Sequence, residues 1–384
     1  MLAAFLLCAW KDGLQTLLDT LFESLAGCPV RAATKSALSQ ARQKLKASAF
    51  MALNQRLLTS LEAFWPEPRW RGLRLVAADG TTLRLPDLPE NRAEFGVQAG
   101  PDGQPLVMAR ALGLYSVGAG RMLRAALAGY EAAERALLVE LLPALEEGDL
   151  LVDRGFPATW LFALLLRRGR HFLARIDGAQ WPEVQAFAAS GLVEQVVTRP
   201  VGRDARRHAR ALGVELLHKD IRFRLVRVEL PGGGVEILAT SLLDAEAYPA
   251  AGFAEVYHER WGIEEAIKLV KHRLNIEQFS GELPGSIRQD FHAKLLTANL
   301  AWALAHSARE TLPPAKATRY QPNLAYVLAR LRLRLFVWLL NRASPDDVLA
   351  ILTLAGKTLE LKRPGRSAKR PKSRPNPKPR RQYK

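Results

Sequence analysis

The stretch YHERWGIEEAIKLVK, residues 257–271, decides how this chain is read. At about 100° per residue, Tyr257, Arg260, Glu264 and Lys271 stand at roughly 0°, 300°, 340° and 320° around one predicted helix. An aromatic hydroxyl, a guanidinium, a carboxylate and an ammonium then share one narrow stripe. Val256, Ile263, Ile267 and Val270 form a neighbouring apolar stripe that can face a core. A carboxylate among phosphate-binding cations suits a metal-dependent site that works on nucleic acid, although an exposed amphipathic face uses the same residue types. Gly262 costs this helix about 1 kcal/mol relative to Ala. Either a close approach of DNA or backbone or a packing contact would account for it. Trp261 is expected on the core side.

Upstream of this helix, LRLVAADGTTLRLPD around Asp79 reads as a β run, an Asp-Gly turn and a second short strand. PLVMARALGLYSV follows the turn AGPDGQP as a third strand, and the three runs look like an antiparallel meander. Residues 131 to 146 read as a helix and GDLLVDRGF as a short apolar strand ending at Asp153. ATWLFALLLRRG reads as a helix and RHFLARI as a further strand. Three strands, helix, strand, helix, strand point to a mixed α/β sheet. Arg199, Arg203, Arg206, Arg207 and Arg210 then cluster in a stretch where IRFRLVRVEL and VEILATSLL flank ProGlyGlyGly at 231–234, a hairpin signal. Residues 2 to 64 and 289 to 342 read as mainly helical, with a strand left open for LARLRLRL. In TKSALSQARQKLK, Lys35, Arg42, Lys44 and Lys46 form either a DNA-contacting face or a solvated one.

A carboxylate at the end of a buried strand is poorly solvated unless it is paired or bound to metal. Two such strands side by side would bring Asp79 and Asp153 together, and their repulsion would call for a cation. Hard oxygen donors of this kind suit Mg²⁺ or Mn²⁺.

The composition points the same way. The 384 residues carry a formal net charge of +17. Residues 362 to 384 hold 11 Lys or Arg and no acid, which leaves +6 on the rest. A basic body with a basic, Pro-rich tail favours a polyanionic partner, and the tail is expected to be disordered without one. Cys8 and Cys28 offer no disulfide framework and, without paired His spacing, no zinc site, so a reducing cytoplasm fits. The apolar start MLAAFLLCAWKDG lacks a charged leader and a cleavage site. No run reaches the ~18 apolar residues of a membrane span, so no membrane partner is expected. No GxxxxGK[ST] loop and no GxSxG elbow occurs, which removes a Walker-type ATPase and a serine hydrolase.

The blocks ADGTTLRLPD, VDRGF and YHERWGIEEAIKLVK resemble DDE-type transposases of bacterial insertion sequences, within the family numbered four and its Tyr-x2-Arg-x3-Glu-x6-Lys subgroup. LNIEQFSGELPGSIRQDFHAKLL also resembles that family, and the likeness runs from about residue 30 to about 345. The resemblance implies a ribonuclease H-like mixed-sheet core interrupted by a mostly β insertion, with helical N- and C-terminal regions. The expected parts are 1–68 helical with possible DNA contacts, 69–176 and 248–345 as the two pieces of the core, 177–247 as the insertion, and 346–384 as the C-terminal extension. It implies that Asp79, Asp153 and Glu264 hold two divalent ions, Mg²⁺ or Mn²⁺, and that Tyr257, Arg260 and Lys271 bind phosphates near the cut end. It implies cut-and-paste movement by strand cleavage and strand transfer, with double-stranded DNA (terminal inverted repeats and target) as partner and a homodimer in the DNA complex. A bacterial cytoplasmic protein, nucleoid-associated when DNA-bound, is expected. An insertion-domain aromatic holds a flipped base in related enzymes, and Trp181 is the candidate for it. A stand-alone ribonuclease H-like nuclease and a decayed transposase that only binds DNA remain the rivals.

Overall fold

A computed structural model describes residues 2–362 apart from 9–12, 27–29, 101–102, 154, 218, 231–233 and 340–343. The basic tail from 363, Cys28 and most of the ProGlyGlyGly hairpin signal therefore lie outside the described residues. The chain opens with α1 (Leu2–Cys8), α2 (Leu14–Ala26), α3 (Lys35–Gln43) and α4 (Ser48–Phe64). There follow β1 (Leu75–Arg84), α5 (Pro89–Phe95), β2 (Val97–Ala99), β3 (Pro105–Ser116), β4 (Arg121–Gly129) and α6 (Glu134–Leu141). Next come β5 (Leu150–Asp153), α7 (Thr159–Arg167), β6 (His171–Ile176), α8 (Pro182–Ser190), β7 (Glu194–Pro200), α9 (Arg203–Ala211), β8 (Asp220–Glu229) and β9 (Val235–Thr240). The last elements are α10 (Ala251–Glu259), α11 (Trp261–His272), α12 (Pro284–Glu310), α13 (Pro314–Arg319), β10 (Tyr320–Pro322), α14 (Leu324–Leu339), α15 (Pro345–Lys357) and β11 (Leu359–Leu361).

The chain forms two compact units. One comprises Trp65–Thr82 and Arg110–Ala266 and holds the sheet's centre. The strand order β2-β3-β1-β5-β6-β9-β8-β7, with β4 on β3, makes a mixed sheet. β1, β5 and β6 are parallel, whereas β6–β9, β9–β8 and β8–β7 are antiparallel. Val117 N–H donates to Leu75 O and Leu85 N–H to Val107 O, so opposite ends of β1 and β3 meet. LLV in β5 is buried on both faces, as a central parallel strand requires. One face carries α6 and α7 over Val76, Leu151, Phe172 and Phe223. The other carries Phe253, Val256 and Tyr257 of α10 over Leu75, Val152 and Leu173. Just ahead of the strands, Arg74 grips Asp149 at 2.9 and 2.5 Å, which pins the β1–β5 register.

The meander, the helical crossovers and the parallel strands give the mixed α/β sheet that the element order points to. Three details differ from the sequence reading. Asp-Gly at 79–80 is no turn, because β1 runs unbroken to Arg84. Thr81, Thr82 and Leu83 continue the β run, and the Glu134 carboxylate lies over Gly80. A Cβ there would lie 2.6 Å from Glu134 Oε1. The third strand of the meander is β4, RMLRAALAG, whose Ala-rich sequence carries little β signal. LARLRLRL is helical, within α14.

The other unit comprises the chain up to Phe64, Leu83–Ala109, and the chain from Ile267. Its centre is the long helix α12, against which α1, α4, α14 and α15 pack. Arg42 is buried here, bonded to Asp290 at 2.7 Å and to Gln289 at 2.7 Å, so it is spent inside the unit, while Lys35, Lys44 and Lys46 are exposed. No helix among the described residues is long and apolar enough to cross a membrane.

Candidate active site

The helix expected over 257–271 is two helices joined at Arg260. Arg260 keeps right-handed helical angles but tightens the turn, its N–H donating to Tyr257 O and its carbonyl accepting from Ile263 N–H. A Cβ on Gly262 would lie 3.0 Å from the Tyr115 ring, so this glycine serves packing between α11 and β3.

Arg260 is only 3 % exposed, and its Nη2 donates to Glu264 Oε1 at 3.0 Å. Its Nε is buried without a partner. Burial opposes the guanidinium's charge, yet Tyr257, Glu264 and Asp79 together hold its pKa above the ordinary value. Tyr257 packs in the core face beside Phe253 and Val256, and its hydroxyl is buried with no hydrogen-bond partner. Burial pushes that hydroxyl up to about 12. The charges that bear on it are Arg260, Asp153, Glu236 and Arg175.

Asp79 accepts from Gly80 N–H at 3.0 Å. Its carboxyl is raised, first by burial; the Gly80 bond and Arg260 pull it back, and Glu264 and Glu134 push it further up. Asp153 is buried at the end of β5 and accepts from Phe156 N–H at 2.6 Å. The register pairs Ala77 with Val152. By strand alternation Asp79 shares the face of Leu75 and Ala77 and Asp153 the opposite face, that of Leu151, so strand pairing by itself does not bring the two carboxylates together as the sequence suggests. Lys271 is half-buried two turns beyond Glu264 on α11. Among the described residues no three His, Cys, Asp or Glu side chains are grouped as a metal ion requires. The donors are nonetheless the hard oxygens a divalent ion prefers, and the pressure on Asp79 is what a cation relieves.

Trp181 is core: it packs edge-on to Phe162 and Phe223, with the Arg199 guanidinium 4.3 Å from its ring centre. It is not available to hold a base. Trp261 is half-buried, with Arg260 over its ring. Sequence reasoning did not find Glu134, the first residue of α6, which stands against Gly80 and 3.8 Å from Arg110. Only the fold brings it beside Asp79, and nothing in its spacing announces it.

A family model described as the transposase DDE domain matches residues 70–300, more than half of the chain, and the chain belongs to that family. It is 28 % identical over 276 residues to transposase InsG for insertion sequence element IS4 of Escherichia coli (strain K12). That match covers 69 % of this chain and 60 % of the relative. A cryo-EM structure of a piggyBac transposase synaptic complex with hairpin DNA aligns over 95 % of this chain and 77 % of its own, at 12 % identity and a TM-score of 0.45.

Proposed function

We propose that the chain is a DNA transposase that cuts the ends of an insertion sequence and joins the freed 3′-hydroxyl to target DNA. The observation that carries this reading is at the joint of α10 and α11, where Arg260 Nη2 donates to Glu264 Oε1 at 3.0 Å and both groups bear on the buried Asp79, with Asp153 at the end of the adjacent parallel strand β5. Membership of the transposase DDE domain family supports it. Asp79, Asp153 and Glu264 would hold Mg²⁺ or Mn²⁺. When bound, such ions supply Lewis acidity to the phosphodiester and lower the pKa of water. The chain's own residues do the rest. Glu264 would keep Oε2 for an ion while its Oε1 accepts from Arg260 Nη2, and a DNA phosphate is a suitable further partner for that guanidinium. Lys271, on the same side of α11 as Glu264, would add a point charge for a second phosphate. Tyr257 would hold the Arg260 side of the site in place through its packed ring, its buried hydroxyl waiting for a partner. Double-stranded DNA is the partner of this reading, and a homodimer on paired ends is its assembly.

The test is cleavage and strand transfer on DNA that carries the gene's own flanking ends, with Mg²⁺ and with EDTA. Asp79→Asn, Asp153→Asn and Glu264→Gln are each expected to lower cleavage at least about 100-fold and to leave end binding nearly unchanged. A variant that cuts at the parent's rate removes that residue from the site. Cutting without joining would replace the transposase with a nuclease.

A further inference from the structure

Beside the Asp153 loop runs an open groove that the acids do not use. Gly155 and Pro157 line it together with Ile176 of β6 and Val235 and Ile237 of β9. Three arginines line it: Arg135 from α6, Arg175 from β6 and Arg227 from β8. Arg175 is paired with Glu236 at 2.8 Å. The other two meet no carboxylate among the described residues. Arg227 donates to the carbonyls of Leu192, Phe187 and Ala188, which fix its position and leave its charge in place. Arg135 reaches the carbonyls of Gly155 and Pro157 only at 3.5 and 3.4 Å, long for hydrogen bonds, and its Nε is buried without a partner. An arginine held loosely at backbone carbonyls beside a cleft is ready to exchange them for a phosphate. Asp177 is the second acid of the groove, so the balance is one positive charge over the five groups. Gly155, two residues beyond Asp153 at the end of β5, lines the groove, so the groove adjoins the Asp153 end of the strand.

We infer that this groove takes the sugar–phosphate backbone of the strand that continues past the scissile phosphodiester, with Arg135 and Arg227 as its phosphate-binding groups and Arg175 joining them. The inference rests on the transposase reading and adds to it a track for the departing strand. Its ligand chemistry is a chain of phosphodiesters, read without regard to base.

The experiment compares two DNAs by fluorescence anisotropy. One is a blunt duplex ending at the element's terminus. The other is the same duplex extended by a six-nucleotide single strand of flanking sequence, made in one version for each strand. The extension is expected to tighten binding at least fivefold in one version, and to steepen the salt dependence by about 0.7 per added phosphate contact. Arg135→Ala and Arg175→Ala should each remove most of that gain while the blunt duplex binds as before, and Arg135→Lys should restore part of it. Arg135→Ala is compared only where its melting curve matches the parent's, and Arg175→Ala stands as the independent variant. A gain that survives both substitutions, or no gain in the parent, overturns the groove and leaves the transposase reading standing. Failure of the parent to bind the blunt duplex overturns both.

Discussion

Burial pushes the Asp79 carboxyl toward its neutral form, and Glu264 and Glu134 add to that push against Gly80 and Arg260. A carboxyl raised in the folded state favours folding fully below its unfolded value near 3.9, and that contribution is lost as pH rises through the folded value. At neutral pH the ionised Asp79 is therefore a cost to the fold. Asp79→Asn keeps an oxygen to accept from Gly80 N–H and removes the charge. Without metal at pH 7 the variant is expected to melt above the parent, and near pH 3 the two should coincide. The same variant should be inert in cleavage. A differential-scanning melt in EDTA checks this, and a variant that melts below the parent at pH 7 would show that Asp79 is stabilising as a carboxylate. The identity of Asp79, Asp153 and Glu264 as candidates was legible in the sequence because each sits in a distinctive local pattern. Glu134, Arg135, Arg175 and Arg227 were not, since their neighbourhood is made by strand pairing and helix packing far along the chain.

Elements were legible where the local pattern was strong and closed on itself. LLVD, ATWLFALLLRR and HFLARI became β5, α7 and β6 because a continuous apolar run, a helix apolar all round and a second β run fit only a sheet covered on both faces. β4 was missed because pairing with β3, and not its own propensity, makes it a strand. The continuity of β1 through Asp-Gly was missed because the dipeptide's turn preference yields to pairing with β3, which holds as far as Leu85 while the β5 pairing ends at Ala77. The joint at Arg260 was missed because nothing local breaks the helix there: the bond to Glu264 and the burial of the guanidinium set it. Gly262 is where this junction can be tested. Ala would gain about 1 kcal/mol of helix propensity. Against that, its Cβ would press at 3.0 Å on the Tyr115 ring, which is 8 % exposed and closed in by its own strand. Overpacking of a buried ring costs about 1–3 kcal/mol, so Gly262→Ala is expected to destabilise by up to about 2 kcal/mol. Urea unfolding measures it, and a more stable variant would mean that the ring has room to move.

At the scale of the whole molecule, charge sits inside as well as outside. Lys294 of α12 is 1 % exposed and donates to the carbonyls of Asn275 and Gln278 at 2.8 and 2.5 Å. Burial lowers its pKa to about 8, and nearby Asp290 restores only part of the loss. The unfolded chain keeps the lysine near 10.4. Below about 8 both states hold the proton, and the folded state bears the cost of a buried ammonium. Between about 8 and 10.4 the unfolded chain binds more protons than the folded one, so this group makes stability rise with pH there. The helix that carries it joins α1, α4, α14 and α15, so the effect belongs to the transition of that entire unit. Lys294→Met fills the same space, abolishes the titration and leaves two carbonyls unpaired. The stability of the parent minus that of the variant should therefore be smallest at pH 7 and grow between pH 8 and 10.5, by on the order of 3 kcal/mol. Urea titrations at four pH values, followed by the helical circular dichroism signal, read this difference directly, with other titrating groups cancelling between the two proteins. A difference that stays flat over that window would mean that Lys294 keeps an ordinary pKa, and that its carbonyl partners and Asp290 hold the ammonium as well as water does.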